Sequence, residues 1–117
     1  MKPLTVAVLY GGRSVEHEVS LKSAMNVCNR LTEVGHEVVP ILITRSGLWY
    51  LQDTVGSARQ GQKIHFFAGH KPTLFTEDGT ALQFDAAFPL VHGTNGEEGV
   101  LQGLLDGLGL PYVGCKV

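Results

Sequence analysis

Leu4-Thr5-Val6-Ala7-Val8-Leu9-Tyr10 runs straight into Gly11-Gly12, and this junction decides how the chain is read. A short, nearly continuous apolar run rich in β-formers suits a strand buried on both faces, as in a parallel sheet. The glycine pair breaks it. Beyond the break, Val19, Ala24, Val27, Cys28, Leu31 and Val34 recur at spacings of three and four, with Lys22, Asn26, Asn29, Arg30 and Glu33 between them. That pattern predicts an amphipathic helix, with Ser14 as its N-cap and Gly35 just past its end. Residues 38–44 (VVPILIT) are the second strand, and Pro40 inside it predicts an outer position or a bulge. Strand, helix and strand together make a βαβ unit with a right-handed crossover.

Outward from this unit the pattern changes. Residues 47–52 (GLWYLQ) read as a short strand, with Trp49 and Tyr50 as edge-sheet packing. Residues 53–63 are polar and irregular. Residues 73–84 hold Asp78-Gly79 between two β-like runs, a hairpin signal. Residues 84–91 (FDAAFPLV) are again a core strand, residues 98–108 a helix with Leu101, Leu104, Leu105 and Leu108 on one face, and residues 111–114 a last short strand. The expected fold class is α/β: an open, mostly parallel Rossmann-like sheet with flanking helices and a β-rich edge insertion at about residues 47–84.

Composition narrows the function classes. A chain of 117 residues fits one domain, and 44 % apolar with 17 % charged residues marks a globular protein rather than a disordered one. Nine basic against eleven acidic side chains leave no electrostatic footprint for nucleic acid. Cys28 and Cys115 form neither a CxxC nor a disulfide framework, and the position of Cys28 on the apolar helix face predicts a buried, reduced thiol. No apolar stretch approaches the ~18 residues of a membrane span and no signal peptide precedes the first strand, so a cytoplasmic protein is expected. The stop soon after the last strand-like run reads as one piece of a larger enzyme.

Two glycine-rich turns carry the chemistry. The first, Gly11-Gly12-Arg13-Ser14-Val15-Glu16-His17-Glu18-Val19-Ser20, precedes the first helix. Glu16 falls where exposed N–H groups and the positive end of the helix dipole stabilise a carboxylate. It either complements the dipole or accepts a substrate ammonium group, with Val19 and Ser20 bordering the same pocket. The second turn, His92-Gly93-Thr94-Asn95-Gly96-Glu97-Glu98-Gly99, follows a buried strand. Its glycines allow positive φ and close approach to a ligand. His92 either caps the strand end or serves a carboxylate, and Glu97 and Glu98 either support the loop or cap the next helix. In an open α/β sheet both turns would lie at the carboxyl ends of strands, where ligands bind. The first turn lacks the Gly-Lys-Ser/Thr of a P-loop and the third glycine of a dinucleotide fingerprint, and His17-Glu18 has Leu21 where a zincin needs histidine. His36, His65 and His70 have no spacing partners, and no metal site is expected.

The stretches GGRSVEHEVSLKSA (residues 11–24) and FPLVHGTNGEEGVLQGLLDGLGLPYVG (residues 88–114) strongly resemble the amino-terminal domain of D-alanine–D-alanine ligases. The insertion length resembles the longer-chain, A-type ligases and the related D-alanine–D-lactate ligases. The resemblance implies a pre-ATP-grasp domain, here residues 1–117, whose central and carboxyl-terminal ATP-grasp domains are absent from this chain. It implies that ATP phosphorylates the carboxylate of a first D-alanine and that the amine of a second attacks the acylphosphate, giving D-alanyl-D-alanine for peptidoglycan. ATP and Mg²⁺ would bind mainly outside this chain, which alone would be inactive, and a homodimer is implied. By the same resemblance, Glu16 binds the ammonium group of the first D-alanine, Val19 lies near its methyl group, Ser20 supports that pocket, and His92 stands at the substrate end of the cleft as a proton-transfer group. Glu97 supports the second loop, Glu98 stands where aspartate is frequent, and Gly11, Gly12, Gly93 and Gly96 shape the turns. Competing readings are a D-alanine–D-lactate ligase domain, a non-catalytic module for a small amino acid, and, more weakly, a dinucleotide-binding domain.

Overall fold

The computed structural model describes residues 2–11, 17–44, 46, 48–55, 61–67, 73–90, 105–106 and 108–112, with residues 17–21, 67 and 73 as backbone only. Strand β1 (Thr5–Gly11) is followed by helix α1 (His17–Glu33) and strand β2 (Glu37–Ile43). Then come β3 (Trp49–Leu51), β4 (Lys63–Phe67), β5 (Thr73–Thr76), β6 (Ala81–Leu82) and β7 (Ala86–Pro89). They form one seven-stranded sheet in the order β6-β5-β4-β3-β2-β1-β7.

The centre of the sheet is parallel. β1 pairs with β2 in unbroken register from Thr5↔Glu37 to Gly11↔Ile43, and with β7 from Val6↔Ala86 to Leu9↔Pro89. Beyond β7, Tyr112 adds an isolated parallel bridge to Ala87. β1 is buried from Val6 to Gly11 because both its faces are covered. Val6, Val8 and Tyr10 face one way and pack with Ala24, Val27, Cys28 and Leu31 of α1. Ala7 and Leu9 face the other way, into a core shared with Ile41, Trp49, Ile64 and Leu105.

The rest of the sheet corrects the expectation of a mostly parallel, Rossmann-like architecture. The pairs β2–β3, β3–β4, β4–β5 and β5–β6 are all antiparallel, so the sheet is mixed and mostly antiparallel. The expected edge insertion supplies these strands. Short connections impose their direction, since a parallel return needs a crossover of a dozen or more residues. Trp49 accordingly lies inside the sheet, on a strand paired at both sides, and meets Phe66 edge-on at 4.9 Å rather than lining an edge. Strand β4 lies partly in the stretch read as irregular.

Pro40 is a second correction. β2 is an inner strand, and its register with β1 has no bulge. The N–H and C=O of a strand residue point to the same side. The Pro40 carbonyl accepts from Gln52 N–H at 3.0 Å, so its missing donor faces the end of the short strand β3 and interrupts no bond to β1. Val34, placed by periodicity on the apolar helix face, is 49 % exposed, because α1 ends at Glu33. The ending itself is as read. Gly35 has φ 97°, Gly35 N–H donates to Thr32 O and His36 N–H to Leu31 O, both at 3.0 Å, completing a Schellman motif. The same arrangement recurs at Gly109, after helical residues Leu105 and Asp106, and marks the expected end of the second helix. Residues 98–104 of that helix lie outside the described residues. The hairpin at Asp78-Gly79 is also present, with β5 and β6 antiparallel and φ 88° at Gly79.

Candidate functional site

β1 and β7 are neighbours that run in the same direction, so their carboxyl ends meet at one rim of the sheet. Leu90 N–H donates to Leu9 O at 2.7 Å and extends that pairing past Pro89. Gly11 closes β1 with φ 95°, a left-handed conformation that favours glycine, and turns the chain off the strand. The backbone is helical again from His17, so Val19 and Ser20 occupy the first turn of α1, close to its positive dipole end. The two motif turns therefore start side by side on adjacent strands, one of them leading directly into the amino end of a helix.

Beneath the rim lies an apolar floor. Tyr10, the last residue of β1 before Gly11, is wholly buried, and Leu90, the residue after β7, is buried as well. Both pack in one cluster with Ala24 of α1, which ties the two strand ends and the helix together. The sequence reading did not assign Tyr10 and Leu90 to the site; their place in the apolar runs just ahead of the glycine turns was the available signal. Of the residues singled out in the sequence, Gly11 and the backbone of Val19 and Ser20 are at this rim. Gly12, Ser14, Glu16, His92, Gly93, Gly96, Glu97 and Glu98 lie outside the described residues.

Other features sit away from it. An open groove of about 250 Å³ runs along α1 and is lined by Met25, Cys28, Thr32, Val38, Pro40 and Asp53, among others. Cys28 is half-buried there, and burial pushes its thiol above the usual range, which disfavours the thiolate nucleophile. His36 accepts a backbone hydrogen bond from Leu4 at 3.0 Å, and His65 stacks on Phe75 at 5.7 Å. Among the described residues, no group of three or more histidine, cysteine, aspartate or glutamate residues is placed to hold a metal ion, and no helix is long and apolar enough to cross a membrane.

Comparison with known proteins joins these observations to a family. Residues 5–115 match the family described as D-ala D-ala ligase N-terminus. The chain is 38 % identical to a D-alanine–D-alanine ligase of Chlorobium phaeovibrioides, over all of this chain and 36 % of the relative. It is 42 % identical to one of Coxiella burnetii, over 97 % of this chain and 34 % of the relative. It thus spans about a third of the length of the curated relatives it matches. Among solved structures, the VanG D-Ala:D-Ser ligase from Enterococcus faecalis superposes with a TM-score of 0.80 at 31 % identity, covering 98 % of this chain and 36 % of that one. The D-alanine–D-alanine ligase of Coxiella burnetii superposes with a TM-score of 0.79 at 39 % identity, covering 94 % of this chain and 35 % of that one. A match spanning nearly the whole chain, on a fold shared with solved ligases, shows that this chain belongs to the D-alanine–D-alanine ligase amino-terminal domain family.

Proposed function

We propose that residues 1–117 are the amino-terminal, substrate-binding domain of an ATP-dependent D-alanine–D-alanine ligase that makes the dipeptide for peptidoglycan in the cytoplasm. One observation carries the reading: the two motif turns start from the adjacent carboxyl ends of β1 and β7, beside the amino end of α1. In this reading Glu16 receives the ammonium group of the first D-alanine. Its carboxylate gains from the helix dipole and forms charge-assisted hydrogen bonds to the substrate. Val19 borders the substrate methyl group, and Ser20 supports the pocket. His92 serves the substrate end of the cleft as a proton-transfer group, and Glu97 supports its loop. Gly11, Gly12, Gly93 and Gly96 let the backbone approach the ligand closely, and Ser14 caps the helix.

ATP supplies the activation of the substrate carboxylate, and Mg²⁺ the charge that stabilises phosphoryl transfer. Both are assigned to central and carboxyl-terminal ATP-grasp domains outside this chain. This domain then forms one wall of the cleft and is inactive alone. A homodimer accompanies the reading.

The second substrate is the open branch. The likeness to a D-Ala:D-Ser ligase supports testing D-serine beside D-alanine and D-lactate. The test is phosphate release from ATP by the 117-residue chain and by a chimera joining it to the remaining domains of the Coxiella burnetii relative. Each is supplied with D-alanine alone, then with D-lactate or D-serine added, and products are identified by mass. The reading requires D-alanyl-D-alanine from the chimera and no turnover from the short chain. A depsipeptide or a D-alanyl-D-serine product moves the chain to the corresponding branch. A folded chimera without turnover, joined to a short chain that still binds D-alanine, favours a non-catalytic binding module.

A further inference from the structure

Helix α1 covers the face of β1 that carries Val6, Val8 and Tyr10. Among its described side chains, residues 22–33, Ala24 alone is fully buried; Ser23, Val27, Cys28 and Leu31 are half-buried and the rest are exposed. Ala24 therefore marks the closest approach of the helix to the sheet, and one methyl group is all that stands there. It shares its cluster with Tyr10 and Leu90, the floor beneath the rim. At the packing density of a protein interior, such a contact leaves no room for added atoms. The other end of α1 is fixed independently. Its Schellman motif leads directly into β2, where Glu37 N–H donates to Leu4 O at 2.9 Å and the register with β1 starts at Thr5↔Glu37.

We propose that Ala24 is a positioning residue: its methyl group sets the height of the amino end of α1 above the rim, and with it the pocket for the first D-alanine. The inference rests on the ligase reading above. Ala24 lies seven residues from His17 and nine from Glu33, about 10 Å and about 14 Å along the axis at the helical rise. With the Glu33 end held, a lift of about 1 Å at Ala24 tilts the helix by about 4° and raises His17 by about 2 Å. Val19 and Ser20 move with it, whereas the second turn, which leaves from β7, does not. The spacing of the two turns then changes, and a displacement of about 1 Å at a substrate-holding group costs on the order of 100-fold. ATP, assigned to domains outside this chain, is untouched by the tilt.

The experiment uses the 117-residue chain and the chimera. Ala24→Cys and Ala24→Val enlarge the side chain by one and two heavy atoms. Met25→Val, on the exposed neighbour, brings the same β-branched side chain into the helix without filling the contact. Residual dipolar couplings of the backbone amides in the short chain read the axis of α1 against β1. Steady-state kinetics of the chimera read KM for the first D-alanine, KM for ATP and kcat. The spacer role predicts a tilt that grows from Ala24→Cys to Ala24→Val. It predicts a D-alanine KM that rises with the tilt to about tenfold or more, while kcat and the ATP KM stay. Met25→Val leaves all of these as in wild type. An unmoved axis in the folded variants overturns the proposal, as does a tilt with an unchanged D-alanine KM, or an equal rise in KM from Met25→Val. Should Ala24→Val not fold, Ala24→Cys decides by the same readings. A folded wild-type chimera without turnover overturns the ligase reading itself, and the pocket role of Ala24 falls with it; an active chimera whose D-alanine KM ignores the tilt refutes the role of Ala24 alone.

Discussion

Gly61→Ala tests whether β3 and the chain leading into β4 are held as tightly as the structure shows. A Cβ on Gly61 would lie 1.6 Å from Leu51 O, 2.8 Å from Leu51 C and 3.3 Å from Gln52 Oε1. Non-bonded heavy atoms settle at about 3.5–4.0 Å, so the two segments must part by about 2 Å. That movement strains Leu51 N–H to Gln62 O and Gly61 N–H to Gln52 Oε1, both 2.8 Å. Gln52 is 5 % exposed, so its amide oxygen has little access to water once Gly61 withdraws. Overpacking costs about 1–3 kcal/mol, and a buried polar group left unsatisfied about 1–3 kcal/mol more. Since the two share one displacement, the expected destabilisation is about 3 kcal/mol. The assay is urea unfolding followed by Trp49, the single tryptophan, which is buried on β3. With a slope of about 1–3 kcal/mol per molar urea, the midpoint should fall by about 1–3 M. An unstrained Gly→Ala replacement instead stabilises by about 0.4–1 kcal/mol through the unfolded chain. An unchanged or raised midpoint would therefore refute the close approach of Gly61 to Leu51.

Other positions separate further effects. Gly35→Ala meets no atom within 4 Å, yet φ is 97°, so only conformational strain remains; the expected loss is about 1–2 kcal/mol, and a loss as large as that of Gly61→Ala would contradict the distinction. Ala24→Leu inserts volume between α1 and the rim floor of Tyr10 and Leu90, and should cost about 1–3 kcal/mol in thermal or urea unfolding; a neutral result would mean that this layer is loosely packed. Asp78 accepts from the Thr76 hydroxyl, then from the Thr80 hydroxyl and Thr80 N–H, and these bonds hold its carboxyl far below the ordinary range. A lowered folded value contributes stability above the unfolded carboxylate value of about 3.9 and loses it as pH falls through the folded value. Asp78→Ala should thus shrink the stability gap between neutral and strongly acidic solution, and an unchanged gap would remove Asp78 from the hairpin. In the chimeric ligase, Glu16→Ala should raise the D-alanine requirement strongly. A double-mutant cycle with His92→Gln should show coupling of about 0.5–3 kcal/mol, whereas additivity would place the two residues on separate ligands.

The parallel core was legible because its signals are local. A continuous apolar run ended by glycine announced β1, the three–four spacing announced α1, and Gly35 marked where α1 stops. Strand direction was a different matter, since no single strand encodes it. The connection across residues 44–48 is too short for a parallel crossover, and that constraint would have given β3 its antiparallel direction. β4 was hidden by its composition: KIHFF alternates buried Ile64 with Lys63 and His65, and its Phe66 is partly exposed. The chemistry of the site was read from residue types in the two turns. The strands that lead into them are neighbours only because β7 pairs with β1 across some eighty residues of sequence, as the Thr5–Asp85 bond also requires, and no local pattern carries that pairing.

The rim also bears on what it can hold. Neighbouring strands lie about 4.8 Å apart, and Leu9 faces Pro89 across that spacing, so the two turns start within a single strand separation of each other. A dinucleotide needs more: a third glycine after β1, and an acidic residue at the end of β2 to take the ribose. The residue that follows β2 here is Thr44. Its Oγ1 accepts from Leu48 N–H at 3.0 Å and lies 2.9 Å from the Ser46 hydroxyl, so it serves the turn into β3. The same short turn that forces β3 to run antiparallel thus occupies the corner a Rossmann fold reserves for ribose.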